Sequence, residues 1–445
     1  MSVTKQLAEW VVRTRYEDVP AKGMQTVRQS VLDWFGCALV ASDSTAAKIV
    51  AGFLEEQGGT PQARVVGSGL RSTSMNAAFA NGVLGHVEDY DDSGAHPSSY
   101  LVPTVMALGE ERKLSGSDVL AAWAVGYDVS TRLGVGLRMD RAWHPTAIYG
   151  TMGATAAASK LLGLDVHQTR MAFGIAASQA GGVSRNFGTM TKSFHPGNSA
   201  RSAIMAAKLA ARGFTADPDI IEGRDGYADC FGGEKCYPPG MVQFLGDVSV
   251  ITSKGPAVKV WPCCSGNHQT ITGILEIIEK APLDPARISR VDHYSAEPPG
   301  TAPLLRNVVK QGLDGKFCLE YNIAATLIDR KVDRSTFSDD RVSRGDLQAF
   351  MKRVFRHQHP EAALASGRVR DGMEVASIRI VMEGGTVHEK KLGPRRTLTG
   401  AAVVDKFRAN AAPVLDAARI DRALELITGL EKVSDVTQVM DAVTR

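Results

Sequence analysis

The sequence predicts a mostly α fold: a large all-helical domain plus a smaller α/β domain placed late in the chain. Three observations predict it. Residues 151–163 (TMGATAAASKLLG), 166–181 and 199–212 (SARSAIMAAKLAAR) are rich in Ala, Gly and Ser, as helices are when their backbones pack closely. Ile378, Ile380 and Met382 alternate ahead of a Gly384–Gly385 turn and Val387, which reads as a hairpin. Leu415, Ile420, Leu424 and Ile427 then return to helical spacing.

Taken in order, Pro20 opens a helix whose core stripe is Met24, Val27, Val31, Leu32 and Phe35. Gly213 stands where a glycine closes the helix of 199–212. Beyond about residue 254 the pattern changes. Ile288 and Val291 mark a short strand, and helices are expected at 264–281, 318–329 and 344–355. The expected division is 1–254 helical, 255–394 α/β, and 395–445 returning to the helical domain. No internal repeat or low-complexity region interrupts this plan.

Composition narrows the function classes. The 445 residues are 44% hydrophobic and 22% charged, with a net charge of +3, as in an ordinary globular enzyme. No basic footprint for nucleic acid is present, and KKLGPRR at 390–396 reads as a solvated loop. No signal peptide and no membrane span are read from the sequence, so the expectation is a cytoplasmic protein with no membrane partner. Six cysteines at 37, 230, 236, 263, 264 and 318 are too few and too irregular for a disulfide framework.

The densest chemistry lies in GHVEDYDDSGAHPSSY, residues 85–100, where His86, Glu88, Asp89, Asp91, Asp92 and His96 fall between core-like segments. Buried carboxylates and imidazoles must be paired, so such a cluster is costly unless it acts. If this turn is helical, Asp89, Ser93 and His96 share one face. Four more segments concentrate reactive groups. They are Trp143–Thr146 with His144; TKSFHPGNSAR with Lys192 and His195; KVWPCCSGNH with Lys259, Cys263, Cys264 and His268; and CLEYNIAATL with Tyr321. A lone His144 reads as a structural histidine, a lone Lys192 as surface, and a lone Tyr321 as core. His195 fits as the cap of a helix starting near Asn198. Zinc on Cys230, Cys236, Cys263, Cys264 and His268 is disfavoured by spacing. A metal-dependent hydrolase built on Asp89, Asp91, Asp92 and His96 is the reading from another class. Phosphate-loop, HExxH, GxSxG and complete dinucleotide motifs are absent. Acid–base chemistry by His, Lys, Asp and Tyr remains.

Five segments together resemble the MmgE/PrpD family: GHVEDYDDSGAHPS, WHPTAIYGTMGATAAASK, TKSFHPGNSARSAIMAAKLAARGFTADPDIIEGRDGY, KVWPCCSGNH and CLEYNIAATLIDR. The family includes 2-methylcitrate dehydratases, cis-aconitate decarboxylases and iminodisuccinate epimerases. The resemblance implies a homodimer of helical domain and α/β lid, with a pocket between them for a di- or tricarboxylate. It implies His96, His144, Asp89, Lys192 and Tyr321 as catalytic, and Ser93, Lys259, His195, Cys264 and His268 as substrate-binding. Ser93 stands for the family's Thr, and Cys264 stands where the decarboxylases carry a histidine. No cofactor and no metal are expected, because fixed cations, helped by a helix N-terminus near Asn198, take the Lewis acid's place. The leading expectation is a dehydratase of a 2-methylcitrate-like hydroxy acid. A dicarboxylate epimerase and a cis-aconitate decarboxylase are the alternatives.

Overall fold

The computed structural model describes residues 2–139, 142–246, 250–359 and 376–444. They form two compact units. The first holds residues 1–183, 191–258 and 398–445; the second holds 184–190 and 259–397.

The first unit is helical. Its site-bearing elements are α1 (Ala21–Ala41), α2 (Ser74–Val87), α3 (Pro97–Arg112), α4 (Gly116–Leu137), α5 (Pro145–Leu162), α6 (Met190–Ala210) and α7 (Ala401–Ala411). A two-residue strand pair, β1 (Ala63–Arg64) and β2 (Arg71–Ser72), lies beside them. Local chemistry sets the ends. Ser115 and Asp118 form a capping box at the start of α4, and Pro145 occupies the first turn of α5, where a missing N–H costs nothing. The small residues act as expected. A Cβ on Gly82 of α2 would lie 2.6 Å from the Gly197 Cα of α6. Gly126 of α4 and Gly153 of α5 each face the other's carbonyl at the same distance. These helices touch backbone to backbone, and one added methyl would push them apart.

Helix α6 starts at Met190 rather than near Asn198 and runs through Pro196. His195 is therefore inside the helix and caps nothing, and no helix N-terminus lies at Asn198. Pro196 cannot donate to the Lys192 carbonyl, so the helix loses one internal bond beside the reactive side chains.

The Asp-rich segment is not helical either. Chain geometry leaves α2 at Val87 and re-enters helix at Pro97, with positive φ at Asp89 (49°), Ala95 (74°) and His96 (54°). The expected shared face of Asp89, Ser93 and His96 does not form. Asp and Ser side chains compete with the backbone for hydrogen bonds, and here they win. Asp92 accepts from the Ser98 amide at 3.2 Å and hydroxyl at 2.6 Å. The Ser93 amide donates to the Ala257 carbonyl at 2.9 Å. From α7, the Lys406 Nζ donates to the Tyr90 carbonyl at 2.7 Å, sits 3.6 Å from the Tyr90 ring centre, and pairs with Asp33 of α1 at 2.7 Å.

The second unit packs helices His268–Lys280 and Leu319–Asp329 on a four-stranded sheet of order β4-β3-β5-β6. Strand β3 (Ile288–Ser295) runs parallel to β4 (Val354–Gln358) and antiparallel to β5 (Ser377–Met382), which pairs with β6 (Val387–Lys391). Gly384 and Gly385, at φ 91° and 87°, supply the turn read from sequence. The helix expected over 344–355 stops at Met351. Val354 and Phe355 go into β4 instead, because pairing with β3 outweighs local helical periodicity. Among the described residues no single helix is long and apolar enough to cross a membrane.

The Asp33–Lys406 pair is almost wholly buried. Lys406→Met removes the buried cation beside Asp33 and should cost roughly 3–5 kcal/mol of unfolding free energy in urea. Asp33→Leu combined with Lys406→Met should cost clearly less. Equal losses in the single and double variants would show that the pair does not carry this load.

Candidate active site

Lys192 is the centre of the cluster. Its Nζ, on a buried turn of α6, lies 2.6 Å from His86 Nε2 and 2.8 Å from Asp89 Oδ1. An ammonium only donates, so His86 Nε2 must accept and the His86 proton must sit on Nδ1. That Nδ1–H points at Asp91, 3.0 Å from Oδ2. Asp91 also accepts from His96 Nδ1 at 3.0 Å and from the Ser99 hydroxyl at 2.7 Å. The Nδ1–H bond to Asp91 fixes His96 with Nε2 as its other functional atom, the arrangement of an oriented general base. Asp91 therefore holds His96. Asp89 is 3.9 Å from His96 Nε2 and pairs with Lys192 at 2.8 Å.

His144 directly precedes α5 without capping it through its side chain, and its Nδ1 meets His195 Nδ1 at 2.8 Å. Its ring centre is 5.9 Å from that of His86 and 6.3 Å from that of His96. Ser93, Gly94 and Ala95 wall a cavity of about 410 Å³ together with Tyr100, Ser130 and Pro145. Pro145 follows His144 directly in the chain.

Burial, reinforced by the Lys192 charge, keeps His86, His144 and His195 neutral. Burial, with the Lys192 charge, pulls His86 down to about 3 although Asp91 opposes it. Burial and then Lys192 hold His144 well below its ordinary value and bring His195 to about 4. Burial would raise Asp91, but His86 and His96 pull it well below the carboxylate range. Burial and Asp91 push Asp92 well above it.

The first unit thus brings together Asp89, His96, His144, Lys192 and His195, and adds His86 and Asp91, which the sequence reading named in the 85–100 segment without giving them a part in the acid–base chemistry. Their signal was the density of the 85–100 segment, but only Lys192, far along the chain, gives His86 its partner. Of the other expected residues, Ser93 lies in the first unit on the cavity wall, and Lys259, Cys264, His268 and Tyr321 lie in the second unit. Tyr321 is buried there and its hydroxyl donates to the Thr336 carbonyl, while burial pushes its phenol pKa up. The Cys264 amide donates to the Lys316 carbonyl, and His268 Nε2 lies 3.3 Å from the Cys263 carbonyl. Lys259 is buried at 2% exposure.

Among the described residues, two groups have metal-ligand spacing: His86, His96 and His144, and His86, Asp89, Asp91 and His96. Neither contains a cysteine. The donor set argues for the ammonium instead, since Lys192 already takes the His86 Nε2 lone pair and one Asp89 oxygen.

The neutral imidazoles make stability pH-dependent. A histidine with a native pKa of 3 or 4 binds its proton more weakly than in the unfolded chain, where the value is near 6.5. The unfolded state therefore gains protons first on acidification. Each such group removes up to about 1.4 kcal/mol per pH unit as pH falls below 6.5 toward its native pKa. The urea midpoint should drop steeply between pH 6.5 and 5; a flat profile would contradict neutral burial of these rings.

Comparison with known proteins extends the five-motif resemblance to both parts of the chain. The model of the MmgE/PrpD N-terminal domain matches residues 5–239, and that of the MmgE/PrpD C-terminal domain matches 261–432. A cis-aconitate decarboxylase of Aspergillus terreus is 26% identical over 485 residues, covering 99% of this chain and 95% of its own. The cis-aconitate decarboxylase of Homo sapiens is 25% identical over 457 residues, covering 98% and 93%. A cis-aconitate decarboxylase-like protein of Aspergillus oryzae is 26% identical over 476 residues, covering 99% and 96%. Matched along nearly its whole length by both family domains, the chain belongs to the MmgE/PrpD family of enzymes.

Proposed function

We propose that this protein is a lyase of a di- or tricarboxylic acid that moves a proton at the carbon next to a carboxylate, with no redox cofactor. The observation that carries this reading is the buried Lys192 ammonium among neutral imidazoles. Breaking a bond at such a carbon leaves an electron pair beside an existing negative charge. A fixed cation in a site of low dielectric stabilises that pair far better than water does. His96, oriented by Asp91, and His144, hydrogen-bonded to His195, supply the proton transfers.

Decarboxylation of cis-aconitate moves ahead of dehydration of a 2-methylcitrate-like hydroxy acid. The curated relatives carry the decarboxylase name. Dehydration also needs an acid at the departing hydroxyl, and the hydroxyl of Tyr321, which the resemblance implies is catalytic, donates to the Thr336 carbonyl. Decarboxylation needs one delivered proton: carbon dioxide leaves, the bonding pair stays on the substrate, and an imidazole N–H protonates the resulting carbanion.

Proton NMR in heavy water on chelator-treated protein tests this with cis-aconitate, 2-methylcitrate, citrate and iminodisuccinate. Itaconate carrying one solvent deuterium is expected from cis-aconitate. A new alkene from 2-methylcitrate would assign dehydration instead, and α-deuteration of iminodisuccinate without an alkene would assign epimerisation. Silence with all four acids would overturn the substrate class, and activity only after metal is restored would overturn the ammonium's role. Lys192→Met should lower kcat/KM by about 10²–10³.

A further inference from the structure

His144 and His195 meet through like atoms, Nδ1 to Nδ1, at 2.8 Å. A hydrogen bond between two such nitrogens requires one proton between them. Two N–H groups would repel, and two bare nitrogens would leave no bond. With both rings neutral, one carries its proton on Nδ1 and the other on Nε2. The tautomers are therefore tied in opposition. When His195 donates, His144 presents Nε2–H, an acid; when His144 donates, its Nε2 is bare, a base.

The surroundings hold this pair in place. The His144 amide donates to the Gly182 carbonyl at 2.8 Å. A Cβ on Gly182 would lie 3.0 Å from His195 Cδ2, so any side chain there would press on the ring. His195 projects from α6 three residues after Lys192, so one helix turn carries both the cation and the second imidazole. Burial and the Lys192 charge disfavour imidazolium in both rings, which leaves tautomer exchange as the way for this pair to move a proton.

Building on the acid–base function proposed above, we propose that His195 is a relay and positioning residue that supplies a proton to His144 Nδ1 as His144 Nε2 gives one up, rather than a contact to the substrate. A water gives a proton to His195 Nε2 and leaves as hydroxide, the His195 Nδ1 proton crosses to His144 Nδ1, and the His144 Nε2 proton passes to the substrate carbanion. One N–H forms at the outer end, one proton moves across the middle, and one C–H forms at the inner end. Both rings finish neutral with their tautomers reversed. After product leaves, water protonates His144 Nε2, and the same chain run backwards restores the start.

Two measurements test this. The first needs no turnover: ¹⁵N NMR of histidine-labelled protein should show opposite tautomers for His144 and His195, assigned with His195→Asn and His195→Gln. The same tautomer in both rings overturns the relay whether or not a substrate is known. The second uses the acid that turns over. His195→Asn keeps a hydrogen bond to His144 but cannot pass a proton through itself, so kcat should fall about 10²-fold with KM within twofold. The proton inventory in mixed H₂O and D₂O should change from curved to linear, and added imidazole should restore part of kcat in His195→Gly. A raised KM with unchanged kcat would make His195 a substrate contact and overturn the proposal. Loss of kcat with an unchanged proton inventory and no imidazole rescue would make its role purely structural and overturn it too. Silence of the wild type with all four acids, alongside opposed tautomers, would fault the substrate class and leave the relay standing.

Discussion

An ammonium removed from water must be given partners, and most of this site follows from that demand at Lys192. Its two partners come from opposite ends of one short stretch, His86 in the last turn of α2 and Asp89 in the loop beyond. To reach the ammonium, Asp89 adopts a left-handed backbone at φ 49°, a conformation that costs less for Asp than for most residues. Once His86 accepts from Lys192 its other nitrogen must donate, which recruits Asp91. Asp91 then gathers His96 and Ser99. One cation thus dictates a tautomer, a carboxylate position and the direction of a second imidazole.

The same logic separates carboxylates that share one segment. Asp89 answers the ammonium, Asp91 answers two imidazoles, and Asp92 turns away to hold the start of α3 through Ser98. Their charges diverge accordingly. Donors around Asp91 keep it ionised, whereas burial and the negative Asp91 beside it push Asp92 toward its neutral form against the Ser98 hydroxyl and amide. Adjacent identical residues acquire different chemistry from partners supplied by other helices.

Much of the helical unit was legible in sequence because close packing leaves a compositional trace. Gly82, Gly126, Gly153 and Gly197 are small because a backbone lies against each. The reactive segment was legible as a place but not as a shape. Spacing suggested a helical face through Asp89, Ser93 and His96, but Asp89 turns to Lys192, His96 to Asp91, and the intervening Asp92 to the Ser98 amide. His86 and Asp91 were hidden because their roles depend on Lys192, more than a hundred positions away. The start of α6 was misplaced because Pro196 reads locally as a beginning, yet tertiary packing carries the helix through it. Strand β4 was missed for a similar reason, since only its partner β3 makes it a strand.

The Asp33–Lys406 pair binds the order of synthesis to the order of assembly. Lys406 grips the Tyr90 carbonyl from 316 residues further along the chain. A nascent polypeptide on the ribosome can form α1 and α2 early, but Asp33 then waits as a carboxylate with no ammonium to meet it. The Asp-rich loop waits with it, lacking the group that pins its middle. The helical unit therefore cannot be completed until its closing segment emerges. By then the entire second unit has been made, so the insertion is synthesised in full before the helical unit has the lysine that completes it.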